Sequence, residues 1–155
     1  MINNGVYRMP LTYTSSELIQ IGVPARNWEE AIRLSAEPLV KHGICLPEYV
    51  DDMVLNVIEH GPYIVLTDNL AVPHGRAETG ALKTAISVGI LKDPVEFGNK
   101  TNDPVRVVIC MSALDGEKYM HMLGWLATVL EDRGIIEGLA NAENTDKVLE
   151  LLQHK

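Results

Sequence analysis

The chain lacks most of what marks a cofactor enzyme or a membrane protein. Its 155 residues include two cysteines, Cys45 and Cys110. That is too few for a disulfide framework, and it suits a reduced, cytoplasmic compartment. The longest unbroken apolar run is Val107 to Met111, whereas a membrane span needs about 20 such residues. Positive charge is scarce, with 13 Lys and Arg against 21 Asp and Glu and a formal net charge of −8. A nucleic-acid binder needs a basic face, and adhesion to anionic lipid needs a basic cluster, so neither partner is expected. The first 17 residues carry one cation, Arg8, and no apolar block, which argues against a secretory signal. No Cys or His pair has zinc-site spacing. There is no Walker phosphate loop, no dinucleotide glycine pattern and no Gly-x-Ser-x-Gly elbow. Most familiar cofactor chemistry is thus unsupported.

What is present is ordinary globular material, 46% hydrophobic and 22% charged, enough to bury a core. Residues 1–17 read as a leader in which Val6 and Tyr7 could pack, and residues 18–155 as one domain. Leu18 to Val23 reads as a strand. Asn27 with Glu30 predicts a capping box opening a helix. Pro38 predicts a kink in it, and His42-Gly43 a stop. Pro47 suits the first position of a second helix, which His60-Gly61-Pro62 ends. Tyr63–Leu66, Leu70–Val72, Ala81–Leu91 and Val105–Met111 read as extended. The unbroken apolar stretch Val107–Met111 in the last run predicts a strand covered on both faces. Lys92 to Asp103 reads as a turn. Met120, Leu123, Leu126, Ala127 and Leu130 have helical spacing, and Met120, Met122 and Trp125 are expected in the core or at its edge. Ile135–Ala142 reads as one or two helical turns, and Thr145 as the cap of a last helix. The order of elements predicts an α/β fold with one sheet between helices on both faces.

Five histidines are candidates for chemistry. His154 belongs to the C-terminal tail, and His42 and His60 to helix ends, where a cation offsets the helix dipole. His74 differs. It sits in Leu70-Ala71-Val72-Pro73-His74-Gly75-Arg76, where proline fixes the backbone before it and glycine permits close approach after it. Arg76 adds a permanent cation. Imidazole is a competent nucleophile near neutral pH. His121 falls off the Leu123/Leu126 stripe and faces either a site or solvent. The pairs Glu29-Glu30, Asp51-Asp52 and Glu131-Asp132 read as helix-end charges.

From about Ile19 to Gln153 these residues resemble the IIA domain of the sugar phosphotransferase system, fructose–mannitol type, nearest its ascorbate-like branch. The blocks that carry the resemblance are Gly61-Pro62-Tyr63, Asn69 to Arg76, Pro94-Val95-Glu96-Phe97, Asn102-Asp103-Pro104-Val105 and the Leu123/Leu126-Ala127/Leu130 helix. The front part, Asn27 to Ile32 and Pro47 to Val50, fits as well. The resemblance implies an α/β sandwich with a mixed central β-sheet and no metal or organic cofactor. It implies that His74 takes a phosphoryl group from the phosphocarrier protein HPr and passes it to a cysteine of a IIB component, which serves the membrane component IIC. Many relatives carry a second histidine where Tyr119 stands here. Either Tyr119 supplies a hydroxyl in its place or a shifted helix start lets His121 reach. Relatives also carry an arginine near the position of Ile58, and Arg76 is the alternative cation. A regulatory IIA-like protein, or a binding module that is never phosphorylated, are the competing expectations.

Overall fold

The computed structural model describes residues 13–153. The expectations for Val6, Tyr7 and His154 lie outside the described residues. Within the stretch read as a leader, Tyr13 and Thr14 are buried.

Strand β1 (Ile19–Val23) leads into α1 (Trp28–Lys41) and α2 (Pro47–His60). Two short strands follow, β2 (Val65–Thr67) and β3 (Asn69–Ala71), then the long β4 (Ala85–Val95) and β5 (Val105–Ser112). Helices α3 (Gly116–Leu130), α4 (Arg133–Ala140) and α5 (Thr145–Leu152) close the chain. The five strands form one mixed sheet in the order β1-β4-β5-β3-β2. β1 runs parallel to β4 and β3 parallel to β5, while β4/β5 and β2/β3 are antiparallel. This is the expected α/β sandwich.

The apolar run in β5 divides between two cores. Val107, Ile109 and Met111 join Trp125, Leu126 and Val129 of α3, and residues of α4 and α5. Val108 and Cys110 join Ile32 and Leu39 of α1 and Met53 and Val54 of α2. A strand whose two faces both meet helices has no polar face to show, which is why the sequence does not alternate there.

Several local expectations are corrected. Asn27 does cap α1, accepting from the Glu30 amide at 2.9 Å, but the Glu30 carboxylate takes the Arg26 amide rather than returning to Asn27. Helix α1 continues through Pro38 to Lys41. Pro38 cannot donate to the Leu34 carbonyl four residues back, and the Gln20 side-chain amide donates to it instead at 2.6 Å. β4 starts at Ala85 and runs on through Lys92-Asp93-Pro94, where a turn was expected. Its pairing with β5 is irregular between Ile90 and Val95, so Pro94 lies where no regular ladder bond is needed. Asn144, not Thr145, caps α5. Met120 is 65% exposed rather than in the core, whereas Met122 and Trp125 are buried.

Candidate active site

β3 hands the chain to the site. Beyond Ala71 the extended backbone is still held by the sheet. Val72 donates to the Ile64 carbonyl and Met111 to the Pro73 carbonyl, each at 2.9 Å. His74 itself forms a single parallel bridge with Met111. The imidazole is therefore carried on a stiff element.

The ring is fixed at Nδ1, which lies 3.0 Å from the Val72 carbonyl oxygen. A carbonyl can only accept, so in this arrangement Nδ1 bears the proton and donates. Nε2 is left with its lone pair. It points toward the Tyr119 hydroxyl at 3.5 Å, and the two rings stand 5.6 Å apart. Tyr63 meets the imidazole edge-on at 6.1 Å. Burial raises the pKa of both phenols, with Tyr119 adding to the effect at Tyr63, so both stay protonated at neutral pH and Tyr119 is a donor.

Two clefts meet at His74 and Tyr119. One, about 240 Å³, is bounded by the His74–Glu78 loop and by Ala113, Asp115 and Gly116 at the start of α3. The other, about 220 Å³, is apolar, with Tyr63, Leu66 and Leu123 on its walls. Asp115 caps α3, accepting from the Lys118 amide at 2.9 Å, which places Tyr119 in the first turn.

A second helix grips the loop from behind. Tyr49, Asp52 and Asn56 are three and four residues apart on α2, and so share one face. Asn56 donates to the His74 carbonyl at 3.1 Å, and the Tyr49 hydroxyl lies 3.2 Å from the Gly75 carbonyl and 2.9 Å from that of Met111. Asp52 Oδ2 accepts from the Arg76 amide at 2.8 Å, and Oδ1 from the Arg76 guanidinium at 3.2 Å. Thr79 adds its hydroxyl to Oδ2 at 3.3 Å. Burial pushes the Asp52 carboxyl up, but the Arg76 amide and guanidinium and Thr79 outweigh it and hold it below the usual range. Gly75 is favoured by close approach. A Cβ there would stand 3.1 Å from the Tyr49 carbonyl oxygen and 3.2 Å from Asp52 Oδ2.

The structure thus brings together His74, Arg76 and Tyr119 of the expected set. It does not bring His121, which is exposed and lines neither cleft. Two residues along a helix is about 200° of rotation, so with Tyr119 turned inward His121 turns out. The reading of Asp51-Asp52 as helix-end charges gives way for both: Asp51 lies past the first turn of α2 and pairs with Arg33 of α1 at 2.8 Å, and Asp52 is buried. A carboxylate three residues from buried Tyr49 was the available signal. Asp52 takes the Arg76 amide and part of its guanidinium, leaving the remaining guanidinium N–H groups as the free donors of that residue.

The family model for the phosphoenolpyruvate-dependent sugar phosphotransferase system, EIIA 2, matches residues 12–155. The chain belongs to that family. An ascorbate-specific PTS system EIIA component from Shigella boydii is 33% identical over 135 residues, 86% of this chain and 88% of the relative. The solution structure of the mannitol-specific cryptic phosphotransferase enzyme IIA CmtB from Escherichia coli superposes with a TM-score of 0.82. It is 28% identical, with 92% of this chain and 96% of that one covered. The IIA mannitol component in its complex with phosphorylated IIB, also from Escherichia coli, has a TM-score of 0.79 and 36% identity over 90% of this chain and 96% of that one. The chain is a phosphotransfer component of a sugar phosphotransferase system. Among the described residues no helix is long and apolar enough to cross a membrane.

Proposed function

We propose that His74 is the residue that carries the phosphoryl group, received from phospho-HPr and passed to a cysteine of a IIB component during carbohydrate uptake in the cytoplasm. One observation carries this reading. The Val72 carbonyl engages Nδ1 at 3.0 Å, which in the neutral ring directs the Nε2 lone pair to the meeting of two clefts. The Nε2 lone pair attacks phosphorus as the donor's P–N bond breaks, and that electron pair returns to the donor nitrogen. The proton stays on Nδ1, which goes on donating to the Val72 carbonyl. In the second transfer a thiolate attacks, an S–P bond forms, and the Nε2–P pair returns to the imidazole.

The protein's share is position and charge stabilisation. Tyr119 offers its hydroxyl, taking the place that the resemblance gives to a second histidine. Arg76 offers guanidinium N–H groups. Beside the imidazole, Tyr63 and Leu66 on the wall of the apolar cleft are exposed, with Glu78 and Asp115 on the rim of the other cleft. That pattern suits a partner with an apolar contact patch and basic edges. The solved complex of a mannitol IIA with phosphorylated IIB supports IIB as the acceptor.

The test is phosphoryl transfer from phosphoenolpyruvate through enzyme I and HPr, followed by intact mass. The chain gains one acid-labile phosphoryl group, and His74→Ala gains none while keeping its fold. Uptake by His74→Ala would refute the assignment. Onward transfer to a IIB thiol separates a transport component from a regulatory one, and no uptake at all would leave a binding module.

A further inference from the structure

Of the three α2 side chains that hold the His74–Arg76 loop, only Asp52 carries charge. It is 4% exposed, so little water screens it from the site. Its partners are all on the loop: the Arg76 amide, the Arg76 guanidinium and the Thr79 hydroxyl. The guanidinium spends Nε and Nη2 on this carboxylate, and the Arg76 side chain is otherwise 62% exposed beside the cleft. The cation that faces a phosphoryl group on His74 is thus already paired with a buried anion. It can still donate hydrogen bonds, but the pair brings almost no net charge.

A carrier must release what it accepts. A free arginine beside phosphohistidine would deepen that state, and binding the intermediate too well slows the next step. We infer that Asp52 is a positioning residue that sets how tightly His74 holds its phosphoryl group, by fixing Arg76 as a donor while cancelling most of its charge. This rests on His74 being the phosphoryl carrier. Asp52 touches neither the imidazole nor the cleft, so it acts through Arg76.

The experiment equilibrates the full chain with a fixed ratio of phospho-HPr to HPr and reads phosphorylated fraction by intact mass. Asp52→Asn keeps an acceptor for the Arg76 amide and removes the charge. It shifts the equilibrium toward the phosphorylated chain on the order of tenfold, the weight of one elementary charge near a dianion at a water-exposed rim. Asp51→Asn removes the same charge one residue away and leaves the equilibrium unmoved. In an Arg76→Gln background the Asp52→Asn shift shrinks, because only the direct effect of the lost charge remains once the cation it positions is gone. A wild-type chain that takes no phosphoryl group overturns both readings. A wild type that takes one while Asp52→Asn matches it, or a shift that is undiminished in Arg76→Gln, overturns this inference alone. Should Asp52→Asn fail to fold, nitrogen-15 spectra of the wild type decide. The Arg76 Nε–H resonance moves on phosphorylation while the Arg76 amide stays, and an unmoved Nε–H overturns the inference.

Discussion

Removing a single oxygen from Tyr49 tests whether α2 aims the active loop. Tyr49 is 1% exposed, and burial pushes its phenol up to about 12, so the hydroxyl is a donor at any working pH. It lies within reach of two carbonyls, Met111 at 2.9 Å and Gly75 at 3.2 Å. Tyr49→Phe keeps the ring and its packing. It leaves the buried Met111 oxygen without this donor, while the Gly75 oxygen, in a partly buried bond, can turn to water. An unsatisfied buried acceptor costs about 1–3 kcal/mol, and one of the two being rescued puts the loss near 1.5 kcal/mol. At about 2–4 °C per kcal/mol for a domain of this size, Tm falls by about 3–6 °C. Phosphoryl uptake from phospho-HPr slows too, because the Gly75 peptide next to His74 loses a support. About 1.4 kcal/mol of lost positioning would be tenfold in rate, and part of that is expected, about threefold. Tyr63→Phe is the control. Tyr63 is exposed and has no hydrogen bond among the described residues, so its stability change stays within about 0.5 kcal/mol of zero. Thermal melts and single-turnover phosphorylation at matched folded fraction make the measurement. A Tyr49→Phe melt within 1 °C of wild type, against the fall worked above, would refute the reasoning, as would an equal drop in Tyr63→Phe.

Three further outcomes follow from the same geometry. The Asp52 carboxyl is held below its ordinary value of 3.8, so its contribution is full above that pH and is lost as pH falls through the lower folded value. Urea midpoints measured from pH 6 downward should therefore fall more steeply below about pH 4 in wild type than in Asp52→Asn, and parallel curves would contradict the pairing. Gly89 packs under Ser35 of α1, where an added Cβ would lie 2.7 Å from the Ser35 Cβ. Gly89→Ala should cost about 3 kcal/mol by overpacking, with Ser35→Gly restoring part of it in a denaturation series, and a neutral Gly89→Ala would show that α1 can lift. Burial pushes the Cys45 thiol up to about 11 and Cys110 to about 12, so both should resist alkylation at pH 8 until urea unfolds the chain. Rapid labelling of the native protein would show that the sheet opens on that face.

How much of this was legible depends on where each partner lies along the chain. The chemical half of the site is local. His74 and Arg76 are two residues apart, and Pro73 and Gly75 announce a fixed backbone, so the sequence alone could single them out. The aiming half is not local. Asp52 lies 24 residues before Arg76, and Tyr119 lies 45 after His74. No spacing rule spans such distances, because only sheet order and helix packing decide what meets what. Choosing between Tyr119 and His121 needed the rotation of α3, which follows from burying Met122, Trp125 and Leu126. Both assignments had the same helix. The departures in the fold have the same character. Pro38 was expected to kink α1, since its missing amide leaves Leu34 without a partner. Gln20, 14 residues away on β1, supplies one. Pro94 was read as a turn because central strands exclude proline, but it falls where the β4/β5 ladder is already irregular. In each case a local rule stated a cost correctly, and a distant residue met it. The same logic bears on Tyr119. If the place of a second histidine is filled by a phenol that burial keeps protonated, the site has exchanged a group able to change charge for a fixed neutral donor. The pairing of Arg76 with Asp52 makes the same exchange at the cation. Both changes point toward a phosphoryl site that works by hydrogen bonds more than by net charge. Its transfer equilibrium should then depend little on ionic strength, and a steep salt dependence between 50 mM and 500 mM would argue that Arg76 acts as an unpaired cation after all.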